Sequence, residues 1–425
     1  MQRWVAEPHH QPQEAPLLPH HGPSAAAPDP TSGEKEEDES TAEDNYDGVL
    51  RLPTPKLRFN TSRQIGGYVT NFDFLPLYGG TGTGEGEAKF LCVDGNGMAS
   101  LYDIEAATVE MMPRLNKKPD PWWNPVSLCV THTTAAAEDD PSRPDVAHDP
   151  DRPDALYVMD RKGHSFEVFV YGDPNPPSPS KFMDECSGWY RDRVHRNSCV
   201  WHWRELPSPP IVLDEANNYH RRGRDPVSVE SYALVHGHDS EEDASSSNTT
   251  IYVSFEPTAS TRERPEPNPA AGTYCFDTRT GEWTKAGDWK LPFWSRALHV
   301  PELGNNLLFG FENIGFHIHP HFTVVDISGA MRMDGPAPAL RHAWIEIDPP
   351  SGWHETNRSM VYLGDGKFCI HRSFNIMEMD GWGSGTECVD TVVLLTGVEV
   401  VREGSRLRMV KHKSKRLDTL IHSIL

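Results

Sequence analysis

Apolar and β-branched residues along this chain gather in short runs, each closed by Gly, Pro, Asn, Asp or Ser. That pattern predicts short strands joined by turns, not amphipathic helices. The clearest stretch is Gly272 to Phe311. Tyr274-Cys275-Phe276 predicts a strand, Asp277, Thr280 and Gly281 a turn, and Trp283 the opening of a second strand. Trp289, Leu291, Pro292 and Arg296 form a connector, and Leu307 to Phe311 a third strand. Asp and Thr suit the turn because their short side chains bond nearby backbone groups. Trp283 and Trp289 are large enough to cover one face of a small sheet.

Similar runs fill the chain on both sides. Phe90 to Val93 and Met98 to Asp103 flank the tight turn Asp94-Gly95-Asn96-Gly97. Asp103 precedes Val109 by six residues, the same spacing as Asp277 to Trp283. Leu156 to Met159 and Phe166 to Tyr171 read as a hairpin, and Trp203, Leu206 and Pro207 echo Trp289, Leu291 and Pro292. Strands are also expected at Tyr232 to Val235, Ile251 to Phe255, His321 to Ile327, Ala343 to Ile347, Lys367 to His371, Val392 to Val401 and Leu407 to Lys411. No long stretch has a helical period, which excludes a βαβ sheet and leaves a sandwich array or a propeller. Residues 1–56 are acidic and rich in His and Pro, without an apolar period, and are expected to be a disordered tail. Residues 57–425 are expected to form a propeller with polar loop insertions near 133–154, 172–182, 237–249 and 257–271. Without tail and insertions roughly 310 residues remain, which at about 45 per blade gives roughly six or seven four-stranded blades.

Charge narrows the choice of partner. The chain of 425 residues carries 62 acidic and 40 basic residues, a formal net charge of -22. This disfavours nucleic acid and anionic membranes. No apolar run is long enough to span a bilayer, and the N-terminus lacks the apolar core of a secretory signal. The 7 cysteines are scattered and never form a CxxC pair, as in a reduced compartment. The expected location is cytoplasm, nucleus or both, with no secretion. The oligomeric state stays open.

Few residues suggest chemistry. In FHIHPHF, His317 and His319 alternate on one face and mark a metal candidate, with His321 beyond the interrupting Pro320. The run Lys411, Lys413, Lys415 and Arg416 belongs to the one basic cluster of the chain. It reads either as a nuclear import signal or as the outward face of a last strand carrying Leu407 and Met409 inward. No nucleophile elbow, zinc-protease, phosphate-loop or dinucleotide motif is present. No cofactor is expected.

The segment Phe276-Asp277, Thr280, Trp283, Leu291-Pro292 and Arg296 resembles a kelch repeat, without the paired glycines that usually begin one. Trp289 is a further repeat position in the same unit, and Asp103, Trp203 and Pro207 are repeat positions in other units. A closer likeness lies in GTYCFDTRTGEWTKAGDWKLPF, DALYVMD, WRELPSPP, TGVEVVR and LRMVKHKSKR. With these the chain resembles a grass-expanded plant family known as domain of unknown function 1668, from about Leu57 to the C-terminus. The likeness implies a kelch-like propeller and no activity. Two departures stand out: Ser295 occupies the place of a family Gly, and an acidic tail replaces the usual N-terminal strands, which leaves open whether the ring closes completely. The functional expectation is a non-enzymatic scaffold that binds a protein partner through loops on one propeller face. The alternative is a propeller enzyme or carbohydrate-binding protein with its site at the central channel.

Overall fold

Most strand-forming runs become strands, but of the expected strand Ala343 to Ile347 only Ala343 and Trp344 are strand, and the strand stops there. The structure is a computed structural model that describes residues 48–54, 72–78, 88–117, 125–130, 155–172, 174, 200–213, 227–237, 249–257, 271–313, 320–331, 335–379 and 386–419. A short strand β1 (Val49–Leu50) comes first. Five four-stranded antiparallel meanders follow in chain order. The first holds β2 (Phe72–Tyr78), β3 (Ala88–Asp94), β4 (Ala99–Asp103) and β5 (Thr108–Met112). The second holds β6 (Val126–Val130), β7 (Ala155–Met159), β8 (Phe166–Gly172) and β9 (Val200–Glu205). The third holds β10 (Val227–His236), β11 (Thr249–Pro257), β12 (Gly272–Asp277) and β13 (Glu282–Gly287). The fourth holds β14 (Ser295–His299), β15 (Leu307–Phe311), β16 (Phe322–Asp326) and β17 (Ala339–Trp344). The fifth holds β18 (Trp353–Gly364), β19 (Lys367–Met379), β20 (Thr386–Glu403) and β21 (Arg406–Leu417).

Period-2 alternation decides how these sheets stack. In the first meander Leu75, Leu77, Leu91, Val93 and Leu101 face one way, towards Leu156, Val158 and Phe169 of the second. The second meander is apolar on both faces. Its Tyr157, Met159, Phe166 and Val168 face Ile251, Val253, Phe255 and Phe276 of the third. That two-sided burial explains why Ala155–Met159 is one unbroken apolar run. Ala233, Leu308 and Val325 join the third meander to the fourth. Phe309, Phe322, Phe368 and Val398 join the fourth to the fifth. Each successive pair of sheets therefore owns a separate core. The third and fourth are also joined edge to edge, because β10 and β14 pair in parallel at Ser231–Ser295, Tyr232–Arg296 and Ala233–Ala297.

Turns repeat one device. Asp94, Asp103, Asp277 and Asp326 end their strands, Asp160 directly follows β7, and all five accept backbone N–H bonds from the following turn. The equal spacing after Asp103 and Asp277 is structural: Tyr102 pairs with Val109 as Phe276 pairs with Trp283.

Three further expectations change. Five four-stranded units, not six or seven, occur among the described residues. The fifth absorbs chain that another unit would need, since β20 alone runs for 18 residues. Second, the ordered chain does not begin at 57. Val49 and Leu50 pair in parallel with Arg416 and Leu417, adding an outer strand to the fifth sheet. Third, part of the expected connector, from Ser295 onward, is strand β14. Among the described residues no helix is long and apolar enough to cross a membrane.

Candidate functional site

The connector Asp288 to Trp294 links β13 to β14 and is bonded to several neighbouring strands. Leu291 N–H donates to Ser254 Oγ at 2.9 Å, and Ser231 Oγ donates to the Leu291 carbonyl at 3.2 Å. Asn313 N–H donates to the Pro292 carbonyl at 3.0 Å, and Trp294 N–H to the Phe311 carbonyl at 2.8 Å. Phe293 lies fully buried against Gly310, where a Cβ would stand 2.3 Å from its ring. These anchors hold Trp294 outward, 46% exposed and the one tryptophan among the exposed large apolar residues described. Ser295 follows at φ 65, a left-handed conformation that glycine takes without cost. The position where the resemblance expects Gly is thus one where the backbone asks for it.

Two polar clusters flank the connector. On one side Lys290 Nζ donates to Glu230 Oε2 and Glu256 Oε1, each at 3.0 Å, and Asn313 Nδ2 donates to Glu230. Burial pushes the Glu230 carboxyl up. Burial also works to raise Glu256, but its bonds with Glu230 and Lys290 outweigh that and hold it low.

On the other side the charges are buried. Arg372 is 3% exposed and pairs with Glu346 at 1% and Glu355 at 8%. Its Nη1 lies 2.9 Å from Glu355 Oε2, its Nη2 donates to the Pro320 carbonyl at 2.7 Å, and its guanidinium sits 4.8 Å from the centre of the Phe311 ring. Burial pushes Glu346 up, against the opposing pull of Arg372. Arg358 shares Glu355 at 3.6 Å and lies over the Trp294 ring at 5.6 Å. Arg161, from the β7–β8 turn, donates to Ser295 Oγ and to the Val229 carbonyl, each at 3.2 Å, and lies over Tyr232 at 5.5 Å. The Nε atoms of Arg296 and Arg358 are buried without a hydrogen-bond partner.

The expected repeat positions divide between turn and linkage. Asp277 accepts from the N–H groups of Arg279 and Thr280. Trp203 is not the counterpart of Trp289, as the echo suggested, but of Trp283. Each lies on the fourth strand of its meander and donates its indole N–H back to a proline carbonyl of the preceding unit, Trp203 to Pro113 at 2.9 Å and Trp283 to Pro207 at 2.7 Å. Trp289 instead reaches forward, to the Gly335 carbonyl at 3.1 Å. Pro292 serves through its carbonyl, as above, and Arg296 through its pairing with Tyr232.

The metal candidates separate. His317 and His319 lie outside the described residues. His321 Nδ1 stands 2.9 Å from Glu312, a carboxylate nine residues away that the histidine spacing did not point to. No metal-binding group occurs among the described residues. Lys411, Lys413, Lys415 and Arg416 lie on β21, with Leu407 and Met409 packed towards the fourth sheet and Arg416 paired to Asp390 at 2.9 Å.

Comparison with known families matches residues 18–417 to one described as "Protein of unknown function (DUF1668)". The chain belongs to this family. The match begins well before Leu57 and so includes much of the acidic tail. Comparison with curated proteins finds no match.

Proposed function

We propose that the chain is a non-enzymatic interaction scaffold, a kelch-like β-propeller of plant origin that holds a protein partner at the connector end of its third to fifth units. The propeller reading rests on serial four-stranded meanders that share a core with each neighbour. It is supported by the first strands β10 and β14 lying parallel side by side, as inner strands around an axis would. The kelch likeness rests on the Asp277 turn and the linking Trp283. The observation that carries the binding reading is Trp294, outward-facing beside Arg358. Tryptophan and arginine dominate the energetics of protein interfaces. A rigid scaffold with function on its loops is also how such folds generally work.

The alternative, an enzyme or carbohydrate-binding site at the central channel, would draw on carboxylates such as Glu230 and Glu256. Lys290 already bridges both, which favours the scaffold. Cytoplasm or nucleus is the proposed location. Proximity labelling in leaf cells tests the reading, with the intact chain and Trp294→Ala. The expected result is a small reproducible set of protein neighbours that Trp294→Ala depletes. An identical set from both would overturn the proposed face, and no set above background would overturn the scaffold.

A further inference from the structure

We infer that the acidic stretch just before β1, residues 39–47, docks along the outer edge of β21 and covers its basic run. The site is a sheet edge of this chain, and the occupant is a segment of the same chain outside the described residues. This docking needs nothing from the connector reading. Between Arg406 and Arg416 the chain carries six Lys and Arg residues and no acid, against an overall charge of -22. Three basic side chains of β21 have an acid close by. Arg408 has Glu403 at 2.7 Å, His412 has Glu399 at 3.2 Å and Arg416 has Asp390 at 2.9 Å. Arg406, Lys411 and Lys413 are exposed and have no partner among the described residues.

The edge is open where these three side chains lie. β21 pairs with β20 along one side, and among the described residues β1 covers only Arg416 and Leu417 on the other. β1 also fixes the direction of the chain that precedes it. It runs parallel to β21, so the chain before Val49 heads back along β21 towards Arg406. Contact with the basic run starts at once: a Cβ at Gly48 would stand 3.3 Å from Lys415 Nζ. At about 3.3 Å per residue, extended chain draws level with Arg406 near Glu39. Glu39, Glu43, Asp44 and Asp47 fall within that length, with no Lys or Arg among them. The family match, which begins at residue 18, runs through this stretch. Single exposed ion pairs contribute little, but a tether makes several act together. Lysines on an edge strand also discourage other strands from adding there, which leaves the edge to a segment of opposite charge. Once docked, the stretch occupies Lys411 and Lys413, the residues that the sequence offers as an import signal.

The test is zero-length carbodiimide cross-linking of the full chain, with isotope-labelled and unlabelled copies mixed equally and the products mapped by mass spectrometry. Amide links from Glu39, Glu43, Asp44 or Asp47 to Lys411 or Lys413 are expected within one copy, and high salt should reduce them. No link to either lysine would overturn the docking. Links formed mainly between copies would place a second copy on the edge and overturn it as well. Hydrogen–deuterium exchange gives a second readout. With Glu39→Gln, Glu43→Gln, Asp44→Asn and Asp47→Asn combined, amides of 406–413 on the open edge should exchange about tenfold faster, the effect of losing a few exposed pairs together. Val392 to Val400, at the centre of the fifth sheet, should exchange as before, which guards against a folding defect. Equal exchange at 406–413 in wild type and variant would overturn the docking.

Discussion

The two clusters beside the connector use the same residue types and differ in burial. Lys290, 37% exposed, sits between two carboxylates, the exposed Glu256 and the largely buried Glu230. Arg372 sits between Glu346 and Glu355 at 3% exposure, and Arg358 shares Glu355, so two guanidiniums face two carboxylates. Water screens Lys290 and Glu256 in the first cluster, though not the buried Glu230. The second has no water to fall back on, so removing a partner strands a charge. The difference teaches what burial demands: an exposed lysine tolerates an extra carboxylate beside it, while the buried network sets two guanidiniums against two carboxylates.

The largest expected effect breaks the buried cluster. Arg372→Met leaves Glu346 without its cation and Glu355 with Arg358 alone, and should destabilise the fold by about 3–5 kcal/mol in urea unfolding. Adding Glu346→Leu should recover part of that, because the stranded charge is what costs. A loss under about 1 kcal/mol would place this cluster with the exposed one.

Ser295 sharpens the contrast at the connector itself. Ser295→Ala loses the Arg161 bond and keeps the strained φ, while Ser295→Gly loses the same bond and relieves it. The glycine variant should be more stable by about 1 kcal/mol, the reverse of the usual order. The opposite order in thermal unfolding would refute the strain.

Lys290→Met should cost under about 1 kcal/mol at neutral pH, less in high salt. Glu230, already pushed towards its protonated form by burial, can take up a proton in place of the lysine. A cost near that of Arg372→Met would erase the distinction between the clusters.

The smallest effect lies at the far end of β10. Burial lowers the pKa of His236 below its ordinary 6.5. The folded state thus binds that proton less readily than the unfolded chain. Its contribution is complete above the ordinary value and is lost as pH falls through and below it. His236→Asn should flatten the stability profile between about pH 7 and 5. A profile unchanged by the substitution would contradict the shift.

Much of the sheet structure was legible because strands print their period and their turns. Ala155–Met159 announced itself by β-branched and aromatic residues, and Asp277 by its turn chemistry. The start of β14 was not legible, since Pro292 and a left-handed Ser295 disguise it as loop. The linking role of Trp203 was hidden for another reason. Its partner Pro113 lies 90 residues away, and only the repeat of the same link at Trp283 and Pro207 reveals it. The candidate site was the least legible part. Glu355 and Arg358 share β18, but Glu346 comes from the loop before it and Arg372 from β19, and no spacing in the chain marks the four as a group. A charged residue destined for burial looks the same in sequence as one facing water.

The central claim is that partners meet the connector end. Hydrogen–deuterium exchange, with and without a partner recovered by proximity labelling, tests it most directly. The account predicts new protection at 290–296 and 355–358, with the opposite turns at 278–281 and 404–405 unchanged. Protection at those opposite turns, with the connector unaffected, would contradict it.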